Sequence, residues 1–247
     1  MKELFKKTSK ELSRSSSGKP AVASSNEVQK FLDQVQAMPK APQKAGQEAH
    51  LLFALDATAS RQTTWDQATQ LQGEMFVSAQ ALGGLRVQLC YFRGLGEFYN
   101  SEWHADPDNL LSQMSGLQCQ AGMTQIERLL RHAIQQSSEQ KLRAVIFIGD
   151  AMEENIDVLC QLAGKLGLLN VPLFIFQERQ DPVARQAFVE MSRLSGGAYC
   201  QFDAASAEQL KDLLKAVAIY AAGGLQALED FSKKSHNSVK LLGQQLK

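Results

Sequence analysis

Two short apolar runs that each stop on an aspartate constrain this chain most: HLLFALD at residues 50–56 and RAVIFIGD at residues 143–150. Neither shows the two-residue alternation of a strand with one wet face, so each is expected to be buried on both sides. LRVQLCYFRG (85–94), VPLFIFQE (171–178) and GAYCQF (197–202) extend the set, and GEFYNSEW (96–103) is expected to pair beside residues 85–94. Helical patterns separate these runs. In residues 64–82, Trp65, Ala68, Leu71, Met75, Ala79 and Leu82 fall at three- and four-residue spacing. Further helices are expected over 106–117, 122–137, 153–167, 182–195 and 206–221. Apolar strands alternating with helices predict an α/β fold with a mainly parallel sheet, helices on both faces and right-handed crossovers. Such sheets bind ligands beyond the carboxyl ends of their strands, where the strand order reverses. Asp56 and Asp150 both fall at such ends.

Around this core, residues 48–221, the chain is expected to carry two tails. Residues 1–47 read as a flexible segment with a short helix presenting Val28, Phe31, Leu32 and Val35, followed by a linker rich in Pro, Gly and Gln over 38–47. Its cluster Lys2, Lys6, Lys7 and Lys10, beside Leu4 and Phe5, reads as solvated, with an anionic surface or partner as the alternative. Residues 222–247 form an amphipathic pattern, with Leu225, Leu228, Ser232, Ser235, Val239, Leu242 and Leu246 along one seam that the two serines weaken. It packs on the parent domain or binds a partner.

The 247 residues carry 26 basic and 26 acidic groups, a balance that argues against a nucleic-acid grip. No run reaches the ~18 apolar residues needed to span a bilayer, and the polar start lacks a signal-peptide pattern. Cys90, Cys119, Cys160 and Cys200 are far apart in sequence and read as buried thiols, not as zinc ligands. A cytoplasmic location is the expectation.

Three loops hold the candidate chemistry. The first is D-A-T-A-S, from Asp56 to Ser60; the second is A-G-M-T, ending on Thr124; the third is I-G-D, ending on Asp150. Two carboxylates and three hydroxyls suit a hard divalent cation, Mg²⁺ first, with Mn²⁺ or Ca²⁺ also admitted by an all-oxygen set. Taken alone, D-A-T-A-S equally fits a strand-to-helix turn with Ser60 or Thr63 as N-cap.

With its order D-x-[ST]-x-S, then Thr, then a strand-ending Asp, the sequence resembles von Willebrand factor A domains that carry a metal-ion-dependent adhesion site, bacterial cytosolic members included. The resemblance covers about residues 48–221. It implies a Rossmann-like sheet with one antiparallel edge strand at residues 96–103. It also implies that Thr58, Ser60 and Thr124 ligate Mg²⁺ directly or through water, while Asp56 and Asp150 anchor its waters. A non-enzymatic module that binds a protein partner follows, the partner's acidic side chain completing the metal shell. The sequence departs from the family pattern at Thr58, where Ser is commoner, and at Met123, which makes the lip of the site more apolar. GDAMEE replaces a T-D-G turn, so Glu153 and Glu154 are expected to start a helix, or else to add negative charge near the metal that disfavours an acidic ligand; with Met123 they are the candidate partner-binding residues.

Two other functions fit parts of the pattern. A metal-dependent phosphatase or phosphotransferase using Asp56 would want a second Asp two residues on, where this chain has Thr58. A scaffold binding through its tails needs no metal at all. Nucleotide-binding glycine motifs and the G-x-S-x-G elbow are absent. His104, Asp106 and Asp108 form either a second metal patch or, more simply, a loop closing on an N-cap, and His132 is expected at the surface.

Overall fold

Every side chain of the first strand, β1 (Ala49–Asp56), is buried, which explains why its sequence has no polar face. The computed structural model describes residues 33–34, 48–62, 85–202, 212 and 215–223. Among these, β1 is joined by β2 (Leu85–Arg93), β3 (Glu97–His104), β4 (Leu142–Gly149), β5 (Leu173–Glu178) and β6 (Tyr199–Phe202). The sheet order is β3-β2-β1-β4-β5-β6. β2 and β4 flank β1 in parallel, β5 and β6 continue in parallel, and β3 alone runs antiparallel, at the edge beside β2. This is the Rossmann-like architecture expected from the sequence, edge strand included.

Strand parity sorts the core into two layers. Leu51, Phe53, Leu55, Ile146, Ile148, Phe174 and Phe176 face one side, with Leu110 and Met114 of helix α1 (Pro107–Ser115) and with Val217 and Ile219 of the helical residues 215–223. Leu52, Ala54, Val145, Phe147 and Ile175 face the other, under α2 (Ile126–Glu139), α3 (Ile156–Leu168) and α4 (Pro182–Ser195). Phe147 links strand to helix, its ring 5.7 Å from that of Phe188 in an edge-on contact. The helix expected over 64–82 and both tails lie outside the described residues, apart from residues 33–34 and 222–223, and of the helix expected over 206–221 residues 212 and 215–221 are described.

Most helices start where their chemistry dictates. The Asp106 carboxylate accepts the N–H of Asp108 ahead of Pro107, and Asp181 accepts those of Val183 and Ala184 ahead of Pro182. Gly196, left-handed at φ 73°, closes α4. His104 bonds through Nε2 to Gln113, so His104, Asp106 and Asp108 resolve into a helix start. His132 corrects its expected surface position: it is partly buried, its Nε2 2.8 Å from Gln88 Oε1 and its ring edge-on to Phe98. Burial lowers its pKa below the usual histidine value. Cys90 and Cys200 are buried and Cys119 and Cys160 partly so, all four as free thiols.

β1 sends its chain toward β2 and β3 on one side, whereas β4 leads to β5 and β6 on the other. The β1–β4 junction is therefore the switch point, and its mouth opens beyond Asp56 and Gly149.

Candidate functional site

At that mouth, the turn after β1 folds back on its own aspartate. Asp56 Oδ1 accepts the backbone N–H of Thr58 at 2.8 Å, a short-range turn of the kind aspartate favours. Residues Ala59–Arg61 then make one 3-10 turn with Thr58 in the N-cap position, though no side chain caps it. Ser60 is therefore not the N-cap, and Thr63 lies outside the described residues. Instead the Ser60 hydroxyl donates to Asp150 Oδ1 at 3.0 Å. Thr58 Oγ1 lies 3.1 Å from Ser60 Oγ. Because Ser60 has one proton and gives it to Asp150, the Thr58 hydroxyl is the donor in that pair. Asp56, Thr58, Ser60 and Asp150 thus form one connected set.

At Gly149 the end of β4 packs beside the end of β1, just ahead of Asp150. A Cβ at Gly149 would sit 2.6 Å from the Phe147 ring and 3.4 Å from Asp56 Cβ. The first of these contacts is with the far end of a side chain two residues back on β4 and the second is an ordinary packing distance, so Gly149 makes room for the Phe147 ring and does not set the spacing of the strands.

The second loop is stitched to the first by backbone. Gln120 N–H donates to Ala57 O at 3.0 Å, and Thr58 bridges to Gln120. It is also stitched to the β2–β3 turn. A Cβ on Gly122 would fall 1.9 Å from Gly94 O, so only glycine permits the contact. Arg128 holds Gly96 O at 2.9 Å and Gln125 holds Glu97 O at 3.1 Å. Two apolar side chains stand out on this joint: Leu95 is fully exposed, and Met123 is 63% exposed.

Thr124 is buried and is tied to the third loop by a reciprocal pair. Its N–H donates to Glu153 Oε2 at 3.0 Å, and its Oγ1 accepts the Glu153 N–H at 3.1 Å. Glu154 departs from the sequence expectation in an instructive way. It does cap a helix, but not the one that follows it. Its two carboxylate oxygens accept the N–H groups of Ile126 and Glu127 at 2.7 Å each, at the start of α2, which has no side-chain cap of its own. The next helix, α3, begins only at Ile156 and is capped by Asn155. Both glutamates are therefore committed to backbone donors.

The electrostatics centre on Asp56. Its side chain is fully buried, and its Oδ2 has no hydrogen-bond partner among the described residues. Burial pushes its pKa up to about 6, against the opposing pull of hydrogen bonds from Thr58 and the charge of Arg61. Beneath it lies Arg61, also fully buried. Its Nη1 donates to the Asp56 carbonyl at 2.6 Å and its Nε to Glu178 Oε2 at 2.8 Å. Arg179 follows Glu178 and places Nη1 3.8 Å from Asp150 Oδ2. Neither arginine nor Glu178 was among the residues singled out from sequence. A signal did exist, since VPLFIFQE is a third apolar strand that closes on a carboxylate.

The structure therefore joins Asp56, Thr58, Ser60 and Asp150 directly and brings in Thr124 through Glu153. Met123 stands on the rim. Among the described residues no three His, Cys, Asp or Glu side chains group as a metal site. A cation here would depend on hydroxyl oxygens as much as on carboxylates. The donor set fits a hard ion on that basis, and the unbonded, buried Asp56 Oδ2 is an acceptor in want of a positive partner.

No family model matches the sequence, and no curated protein matches it. Solved structures do. The VWA domain of SpRpn10 aligns with a TM-score of 0.54 at 13% identity, over 68% of this chain and 94% of that one. A von Willebrand factor type A protein from Catenulispora acidiphila aligns at 0.56 and 14% identity, over 70% of this chain and 43% of that one. An aerotolerance-related membrane protein from Bacteroides fragilis aligns at 0.52 and 13% identity, over 66% and 95% of the two chains. At these identities the likeness is one of fold: this chain folds as von Willebrand A domains do.

Proposed function

We propose that this chain is a non-enzymatic, protein-binding module of the von Willebrand A type that works through a bound Mg²⁺, in the cytoplasm. The observation that carries the reading is Asp56: a buried carboxylate with one unbonded oxygen, at the switch point of the sheet, heading a chain of hydroxyls that ends on Asp150. Asp56 and Asp150 would supply charge, while Thr58, Ser60 and Thr124 would supply neutral oxygens. A bound Mg²⁺, or Mn²⁺ or Ca²⁺ in its place, would offer an acidic side chain of the partner a hard positive site. Glu153 and Glu154 are engaged by backbone N–H groups, which leaves ligation of the cation to those five residues.

Hydrolysis finds less support. The acid that a phosphatase would need two residues after Asp56 is Thr58, whose hydroxyl is committed to Ser60. Calorimetric titration of the full chain with Mg²⁺ tests the metal: the wild type should bind and Asp56→Ala should not. Capture of a protein ligand should then require Mg²⁺ and fail in EDTA. Metal binding that survives Asp56→Ala would sink the reading, and so would turnover of a phosphate ester that dies with the same substitution.

A further inference from the structure

The geometry points to Arg179 as a tethered competitor of the cation: its guanidinium neutralises Asp150 in the metal-free chain, and a divalent ion must displace it to bind. This rests on the metal-site reading above and concerns how readily that site fills.

The two aspartates differ in a way that reading does not explain. Asp56 Oδ2 has no described partner, whereas both oxygens of Asp150 are engaged, Oδ1 by Ser60 and Oδ2 by Arg179. Arg179 Nη1 lies at 3.8 Å, within ion-pair range but too long for a hydrogen bond, and the arginine side chain is 48% exposed. Such a pair is readily broken, since the guanidinium can turn into water at little cost.

The backbone beneath it is fixed. Arg179 is left-handed at φ 64°, a region where side chains other than Gly, Asn and Asp are uncommon. Its carbonyl accepts Gln201 Nε2 at 2.7 Å, and the preceding Glu178 is held by buried Arg61. The charge of Glu178 is thereby spent on Arg61. Among the described residues the ion pair of Arg179 is with Asp150 alone. A swinging cation on a clamped stem, paired with Asp150 at the mouth, would oppose a second cation there by occupying its ligand and by repelling its charge.

The effect is that of an exposed ion pair, about fivefold in affinity, and it is screened by salt. The test is titration of the full chain with Mn²⁺, for the wild type, Arg179→Gln and Arg179→Lys, at low and high ionic strength. Arg179→Gln should bind about fivefold more tightly than the wild type at low salt. Arg179→Lys, which keeps the charge, should stay near the wild type, and the gap should shrink at high salt. Should Arg179→Gln lose thermal stability, Arg179→Gly removes the charge while suiting the left-handed backbone. Equal or weaker binding by the uncharged variants overturns the inference but leaves the metal site standing. Lysine behaving like glutamine overturns it too, because charge would then not be the cause. If neither the wild type nor any variant binds Mn²⁺, the metal reading fails and this inference falls with it.

Discussion

At Asp56 two demands conflict. The strand end must be buried to complete the core, yet the carboxylate there is worth having only when charged. Its pKa of about 6 in the folded chain stands above an ordinary value of 3.8. Between those values the folded state keeps a proton that the unfolded state has released, so stability falls as pH rises through the window and levels off above it. Two pH units set a ceiling of about 3 kcal/mol. Asparagine at this position does not titrate. Without divalent metal, the stability of the wild type relative to Asp56→Asn should therefore drop from about pH 4 to about pH 6, as read by denaturant melts across the range. A flat difference would mean that the carboxylate is better solvated than its burial suggests. Phe147 gives the apolar counterpart: Phe147→Ala should cost about 3–5 kcal/mol, because the cavity would open between the sheet and α4.

Among the elements, the turn after β1 is held from below by an ion pair that crosses the domain. Removing one partner of a buried pair strands the other, so Arg61→Met or Glu178→Met alone should each cost about 3–5 kcal/mol. Arg61→Met with Glu178→Met should cost clearly less than the two singles combined, a coupling that a double-mutant cycle measures. Glu154→Ala should weaken the first turn of α2 by about 0.5–2 kcal/mol, with faster hydrogen exchange at Ile126 and Glu127. These elements also show what sequence patterns convey. The strands were legible because β1, β4 and β5 are apolar throughout, and only a sheet covered on both faces accommodates that. The edge strand was legible from its place beside β2. Asp56 and Asp150 were legible as carboxylates closing apolar strands, and Thr124 as a hydroxyl ahead of a helix. The start of α2 was not, because its cap comes from Glu154, 28 positions later. Arg61 was not, because a charged residue after a serine normally lies in water, and its burial depends on Glu178, 117 positions away. Pairings of that length leave no local period to read.

For the molecule as a whole, a ligand that binds only the folded state raises its stability by mass action. Mg²⁺ at about a hundred times its dissociation constant should add about 2.7 kcal/mol, and Asp56→Ala should abolish that gain. A thermal scan with and without EDTA reads it in both proteins. The β2–β3 turn offers a way to watch the site while this happens. Its tip is locked to the second loop through Gly122 and Gly94, yet Leu95 at its summit touches nothing but solvent. Burial raises the pKa of Cys119 to about 11 and pushes those of Cys90 and Cys160 upward as well, while Cys200 is itself buried. At neutral pH those thiols are poor nucleophiles, whereas a cysteine placed at position 95 would have an ordinary one. A maleimide dye on Leu95→Cys would thus label one position selectively, without first stripping the native cysteines, and would sit on the turn that is locked to the loop carrying Thr124.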